Sequence, residues 1–186
     1  MPNKALNTDA HKLAPVSARV MLHMNTYLKT DIAVEMLDAA IVEYIDHQRY
    51  FAAYNLAGVA DELLGKVVRL EGKTDALTNS VELNKVVMGA IGMSPRPDKE
   101  LKKLINTQKN SIKHMDSEQD REVQANMPDD ARRMIGRALR NYHALRLGSR
   151  DTIQRFDESR RKELERHQAA IREELVRETG GDHNAT

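Results

Sequence analysis

Apolar residues recur every three or four positions along most of this chain, the spacing that lines one side of an α-helix rather than one face of a strand. In residues 31–48, Leu37, Ala40, Ile41, Tyr44 and Ile45 form such a stripe, with Thr30 or Asp31 placed to cap it. In residues 49–72 the apolar positions, among them Phe51, Ala52, Leu56, Ala57, Ala60, Leu63, Leu64 and Val67, cover more than half the helix circumference. A helix so apolar belongs at the centre, and Gly72 is placed to end it in a left-handed turn. A third helix is expected over 75–91 on Leu77, Val81, Met88 and Ile91, stopped by the prolines of the 94–98 turn. A fourth starts at Asp98 and carries Leu101, Leu104, Ile105, Gln108, Ile112 and Met115 in one stripe, which puts Asn106, Asn110 and His114 together on the opposite face.

Pro128 with Asp129 and Asp130 behind it opens a fifth helix, whose core side is Ala131, Ile135, Ala138, Leu139, Tyr142 and Leu145, up to Gly148. A further helical piece is expected over 16–28. Beyond Gly148 charges alternate, with only Ile153, Phe156, Leu164, Ile171 and Leu175 as apolar punctuation, so 149–178 reads as a long charged helix. Its heptad spacing is too short-lived to define a coiled coil. The resulting organisation is all-α: a flexible tail over 1–15, a helical bundle of about five core helices over 16–148, the charged helix over 149–178, and a disordered tail over 179–186.

Composition narrows the chemistry. The 186 residues are 40% hydrophobic and 31% charged, enough for one domain with a real core. The absence of cysteine excludes disulfides, thiolate metal sites and cysteine nucleophiles, and suits the cytoplasm. The N-terminal residues are polar where a signal peptide needs an apolar core, and no apolar run approaches the roughly 20 residues of a membrane span, so no membrane partner is expected. The seven histidines include no pair three or four apart, and no Gly-rich phosphate loop follows a strand. Neither a metal nor a cofactor is expected.

Charge is uneven along the chain. Residues 101–150 hold eleven lysines and arginines against six acids, and all six acids lie in the linker or the first turn of the fifth helix. Two helices therefore present basic faces. In one reading Arg132, Arg133, Arg137 and Arg140 bind a polyanion; in the other they pair with acids such as Asp38, Glu43, Asp61 or Glu62. Asp61 and Glu62, which interrupt the most apolar helix, are candidate partners for the basic helices. Only Tyr142 among the seven aromatic residues falls in a basic helix, at a buried-stripe position, which argues against a stacking platform for single strands.

The segments 52–66, 109–123 and 129–148 resemble a family of uncharacterised bacterial helical proteins with an Asn-x-x-Lys-His-x-Asp pattern, here Asn110, Lys113, His114 and Asp116. The resemblance spans about residues 31–148. That family is similar to the HEPN class of helical bundles, many of them homodimeric, metal-independent ribonucleases with an Arg-polar-(x)n-His signature. The resemblance implies a site of Lys109, Asn110 and His114, with Lys109 where the class has arginine. His114 would be the base, Lys109 or Lys113 the charge stabiliser, and Asn110 the orienting group. A lysine keeps the charge but not the planar fork that grips phosphate in two places. His114 also stands where a helix-terminal histidine caps the last carbonyls. The expected function is binding or cleaving RNA, or a related phosphorylated ligand, by a HEPN-like homodimer; the alternative is a non-catalytic homodimeric interaction module.

Overall fold

The computed structural model describes residues 25–113 and 117–180, and among these every regular element is helical. The elements are α1 (Lys29–Ile45), α2 (Tyr50–Leu70), α3 (Ala76–Ala90), α4 (Asp98–Ile105), α5 (Thr107–Lys113), α6 (Met127–Ala144) and α7 (Asp151–Gly180), with a 3-10 turn at Glu118–Arg121. The expected piece at 16–28 lies mostly outside the described residues, and its last four residues are not helical.

Helix α2 is the centre, packed between α1 and α6. Ala53, Ala57, Ala60 and Leu64 are fully buried along one stripe of α2 and face the equally buried Ala33, Ala40, Ala131 and Ala138 of the neighbouring helices. Alanine at these positions lets the helices approach closely, while Leu37, Ile41, Ile135 and Tyr142 fill the space between them. The end of α2 is a Schellman turn: Gly72, at φ 72°, donates from its N–H to the Arg69 carbonyl, and Lys73 N–H donates to the Val68 carbonyl, both at 3.0 Å. Phe51, expected in the core, is 54% exposed because it precedes the stripe that Ala53 and Tyr54 occupy.

Two other expectations need correction. Neither Thr30 nor Asp31 caps α1; the helix begins at Lys29, and its N-cap is Leu28, which offers no side-chain bond. The fourth helix is not continuous from 98 to 115 but breaks at Asn106 (φ −99°, ψ 3°) into α4 and α5. At the junction Thr107 Oγ1 donates back to the Lys103 carbonyl at 3.0 Å, and Asn106 Oδ1 accepts from Arg137 Nη2 at 3.3 Å. The expected stripe is not uniformly buried even within α4: Leu101 is buried, whereas Leu104 is 55% exposed.

A buried polar network joins the elements that the alanines bring together. Arg137 of α6 donates from Nε (2.8 Å) and Nη2 (2.7 Å) to Asp61 Oδ2 of α2, with both side chains 7% exposed. Asn141 Nδ2 donates to Asp61 Oδ1 at 3.0 Å and to the Asp61 carbonyl at 3.2 Å, while Asn141 Oδ1 accepts from Ala76 N–H at 2.8 Å. That last bond satisfies a free donor at the start of α3, and Asp75 Oδ1 takes another from Thr78 N–H at 2.7 Å. Asp75 also pairs with Arg69. One asparagine thus fixes α3 against both α2 and α6. The far half of α3 is uncovered: Leu83, Val86, Val87 and Ile91 are exposed.

The first two turns of α7 pack on α1, and Glu163 farther along reaches Arg132 of α6 at 3.9 Å. Phe156 is buried edge-on to Tyr44, with ring centroids 5.8 Å apart, and Tyr44 meets Tyr50 in the same way at 5.5 Å. Arg150 pairs with Asp38 at 2.6 Å, Thr152 donates to the same carboxylate, and Arg155 pairs with Asp46. Leu164, Ile171 and Leu175 beyond them are exposed.

Two glycines offer a test of this packing. A Cβ at Gly65 would stand 3.2 Å from Asn141 Nδ2, which three hydrogen bonds prevent from yielding. Nothing lies within 4 Å of a Cβ at Gly136. Urea unfolding is therefore expected to show Gly65→Ala destabilising by about 1–2 kcal/mol against its own gain in helix propensity, and Gly136→Ala stabilising by about 0.5–1 kcal/mol.

Candidate anion-binding site

The candidate residues of the two basic helices border neighbouring clefts and fall into two groups. Lys109 of α5 lies across α2 where Gly58 leaves room, its Nζ donating to Glu62 Oε2 at 3.2 Å and to the Gly58 carbonyl at 3.4 Å. Its side chain is 16% exposed. Asn110 is exposed and borders the same open cleft as Lys109, together with Lys102, Lys103 and the carboxylates Glu62 and Glu100. His114, Asp116 and the side chain of Lys113 lie outside the described residues.

The arginines of α6 line a second cleft, of about 610 Å³, walled by α4 and α5 on one side and by α7 on another. Five arginines border it, Arg132, Arg133, Arg137, Arg140 and Arg160, against one carboxylate, Asp130. Apolar surface from Leu104, Ile105 and Met134 completes the wall. The four arginines of α6 do not play one role. Arg137 is consumed by Asp61, so this residue, expected on a binding surface, is a structural cation. Arg132 donates to Asp129 Oδ1 at 2.6 Å, and Arg133 reaches Asp129 Oδ2 at 3.2 Å and Asp130 Oδ1 at 3.7 Å. Arg140 makes no hydrogen bond or ion pair with a described residue.

Electrostatics follow the same division. The Glu62 carboxyl is pulled down to about 2 by hydrogen bonds from Lys66 and Lys109. Hydrogen bonding from Arg132 holds Asp129 below its ordinary value. Arg140 moves the other way: although the residue as a whole is exposed, the protein mass around its guanidinium, and then the like charges of Arg137 and Arg160, hold it below the ordinary arginine value. Cations crowded in this way favour the arrival of an anion.

The pairing reading of the arginines thus holds for three of the four. Arg137 pairs with Asp61, one of the acids that the sequence singles out, and Glu62 pairs with Lys109; Arg132 and Arg133 find acids in the first turn of their own helix, and Arg132 also reaches Glu163 of α7. Sequence reasoning missed Arg160 and Gln108. Arg160 sits in a charged run that reads as solvent-facing along its whole length, and Gln108 falls in a stripe of otherwise apolar positions. Among the described residues no group of three or more histidine, aspartate or glutamate side chains is placed to hold a metal ion, and no helix is long and apolar enough to cross a membrane. Comparison with protein-family models, curated proteins and solved structures returns no match for this chain.

The tie between Glu62 and Lys109 carries a pH signature. A carboxyl depressed in the folded state lends stability that is complete above its ordinary value of 4.5 and is lost as pH falls toward about 2. Glu62 is 53% exposed, so the effect is screened and small, about 0.5 kcal/mol. Urea midpoints of Glu62→Gln should lie below those of the unaltered protein near neutrality and meet them near pH 2; a gap of constant size would contradict the pairing.

Proposed function

We propose that this protein is a HEPN-like helical module that binds RNA through the phosphate backbone, on the basic surface of α4, α5 and α6. The observation that carries the reading is the arginine-lined cleft beside α6, in which cations outnumber the single carboxylate and Arg140 has no partner among the described residues. A positive cleft with low-dielectric walls concentrates polyanions, and neutralising phosphates releases their counterions. The lysines of α4 extend the basic surface around the outside of the cleft.

Binding is favoured over cleavage by the position of Lys109. A general mechanism of 2′-hydroxyl attack needs a free cation at the phosphate, and this lysine is engaged with Glu62 and a backbone carbonyl of α2. With a single-stranded RNA pool in EDTA, the protein is expected to bind in a strongly salt-dependent manner and to leave the RNA intact. Arg140→Ala together with Arg133→Ala should reduce affinity by about tenfold or more at low salt and flatten the salt dependence. Metal-independent cleavage abolished by Lys109→Ala would contradict the binding reading in favour of a ribonuclease.

The exposed stripe of Leu83, Val86, Val87 and Ile91 on α3 favours a second reading, a homodimeric interaction module. It predicts a dimer by light scattering that Val87→Glu with Ile91→Glu splits into folded monomers, and no affinity for RNA in either form.

A further inference from the structure

The cleft beside α6 divides its arginines into those already neutralised and those that are not. Asp61 holds Arg137, and the acids of the first turn of α6 hold Arg132 and Arg133. Arg140 of α6 and Arg160 of α7 make no hydrogen bond or ion pair with any described residue, yet they border the same cleft. Each presents five N–H donors in a rigid fork, and none of the ten has an acceptor among the described residues. Gln108 of α5 stands on the opposite wall; its side-chain nitrogen is shut from water and has no hydrogen-bond partner among the described residues, so the donors presented to the cleft are those of the two guanidinium groups.

The shape and the remaining walls restrict what belongs there. A volume of about 610 Å³ lies within the usual range for a small-molecule pocket and suits one nucleotide rather than a duplex. The apolar side chains of Leu104, Ile105 and Met134 offer surface for a sugar or a base beside the charged end. Two uncompensated cations match a dianion better than a monoanion. An internal phosphodiester carries a single charge, whereas a phosphate monoester carries about −1.5 to −2 at neutral pH.

We infer that the cleft between α5, α6 and α7 holds the terminal phosphate monoester of an RNA strand, gripped between Arg140 and Arg160, with the end nucleotide against Leu104, Ile105 and Met134. The inference rests on the RNA-binding reading and narrows it: the basic surface carries the strand, and this cleft selects its phosphorylated end. It also gives α7 a role, since the helix supplies one of the two arms of the grip. Arg160 lies one turn past Phe156, the residue that fixes this part of α7 to α1.

Fluorescence anisotropy with one short RNA sequence, bearing a 5′-phosphate, a 3′-phosphate or hydroxyls at both ends, tests the inference. One of the phosphorylated strands is expected to bind at least about tenfold more tightly than the strand with two hydroxyl ends, an advantage that shrinks as pH falls below about 6 and the monoester takes up a proton. Arg140→Gln and Arg160→Gln should each remove that preference while leaving the weaker binding of the unphosphorylated strand. Arg172→Gln, farther along α7, should keep it. Thermal midpoints of the two cleft variants should not fall, because neither side chain pairs with a described residue. Equal binding of all three strands, or a preference that survives both cleft substitutions, overturns the end selection and leaves the RNA reading standing. No binding of any strand overturns both.

Discussion

The contact between Asp61 and Arg137 governs how the rest of this bundle is arranged. Each side chain is 7% exposed, and each would be costly to bury alone. Together with Asn141 they form a closed set in which both carboxylate oxygens of Asp61 and the amide of Asn141 find partners on three helices. Removing one member leaves a charge buried without its counterpart, a loss of about 3–5 kcal/mol and a large part of the stability of a domain this size. The surrounding alanines make the network possible, because only close helix packing brings a side chain of α6 onto a carboxylate in the middle of α2.

That same network shapes the candidate site. By neutralising Arg137 and bonding it to Asn106 at the junction of α4 and α5, the network ties that junction to α6 beside the cleft wall formed by Ile105 and Gln108. By placing α6 with its other side outward, it leaves Arg140 facing the cleft beside Arg160. Lys109 is engaged separately, by Glu62, the residue after Asp61 in α2. The outcome is a surface whose charge is largely spent on structure, with a small remainder concentrated in one place.

The sequence made much of this legible. The stripes of α1, α2 and α6 were readable because apolar residues at three-and-four spacing have little choice but to face the core, and Gly72 marked a helix end that the left-handed φ realises. Asp61 and Glu62 stood out because acids in a strongly apolar helix need partners. The break at Asn106 was not legible: the apolar spacing runs through it, and the residue there bonds to Arg137, 31 residues away. The sorting of the arginines was hidden for a similar reason. Arg132, Arg133, Arg137 and Arg140 look alike in sequence, and only tertiary contacts distinguish a spent cation from a free one. Arg160 carried no sequence signal, since its neighbours are as charged as it is.

The division between spent and free arginines is the central claim, and arginine side-chain NMR tests it most directly. The Nε–Hε signals of the 15N-labelled protein would be followed while adenosine monophosphate is titrated in. Arg140 and Arg160 are expected to shift and saturate together, while Arg137, bonded to Asp61 and shielded from water, exchanges slowly and stays in place throughout. A shift centred on Arg137, or rapid exchange of its Nε proton in the free protein, would contradict the account, because it would mean that the buried pair is not closed and that the arginines of α6 act as a single surface.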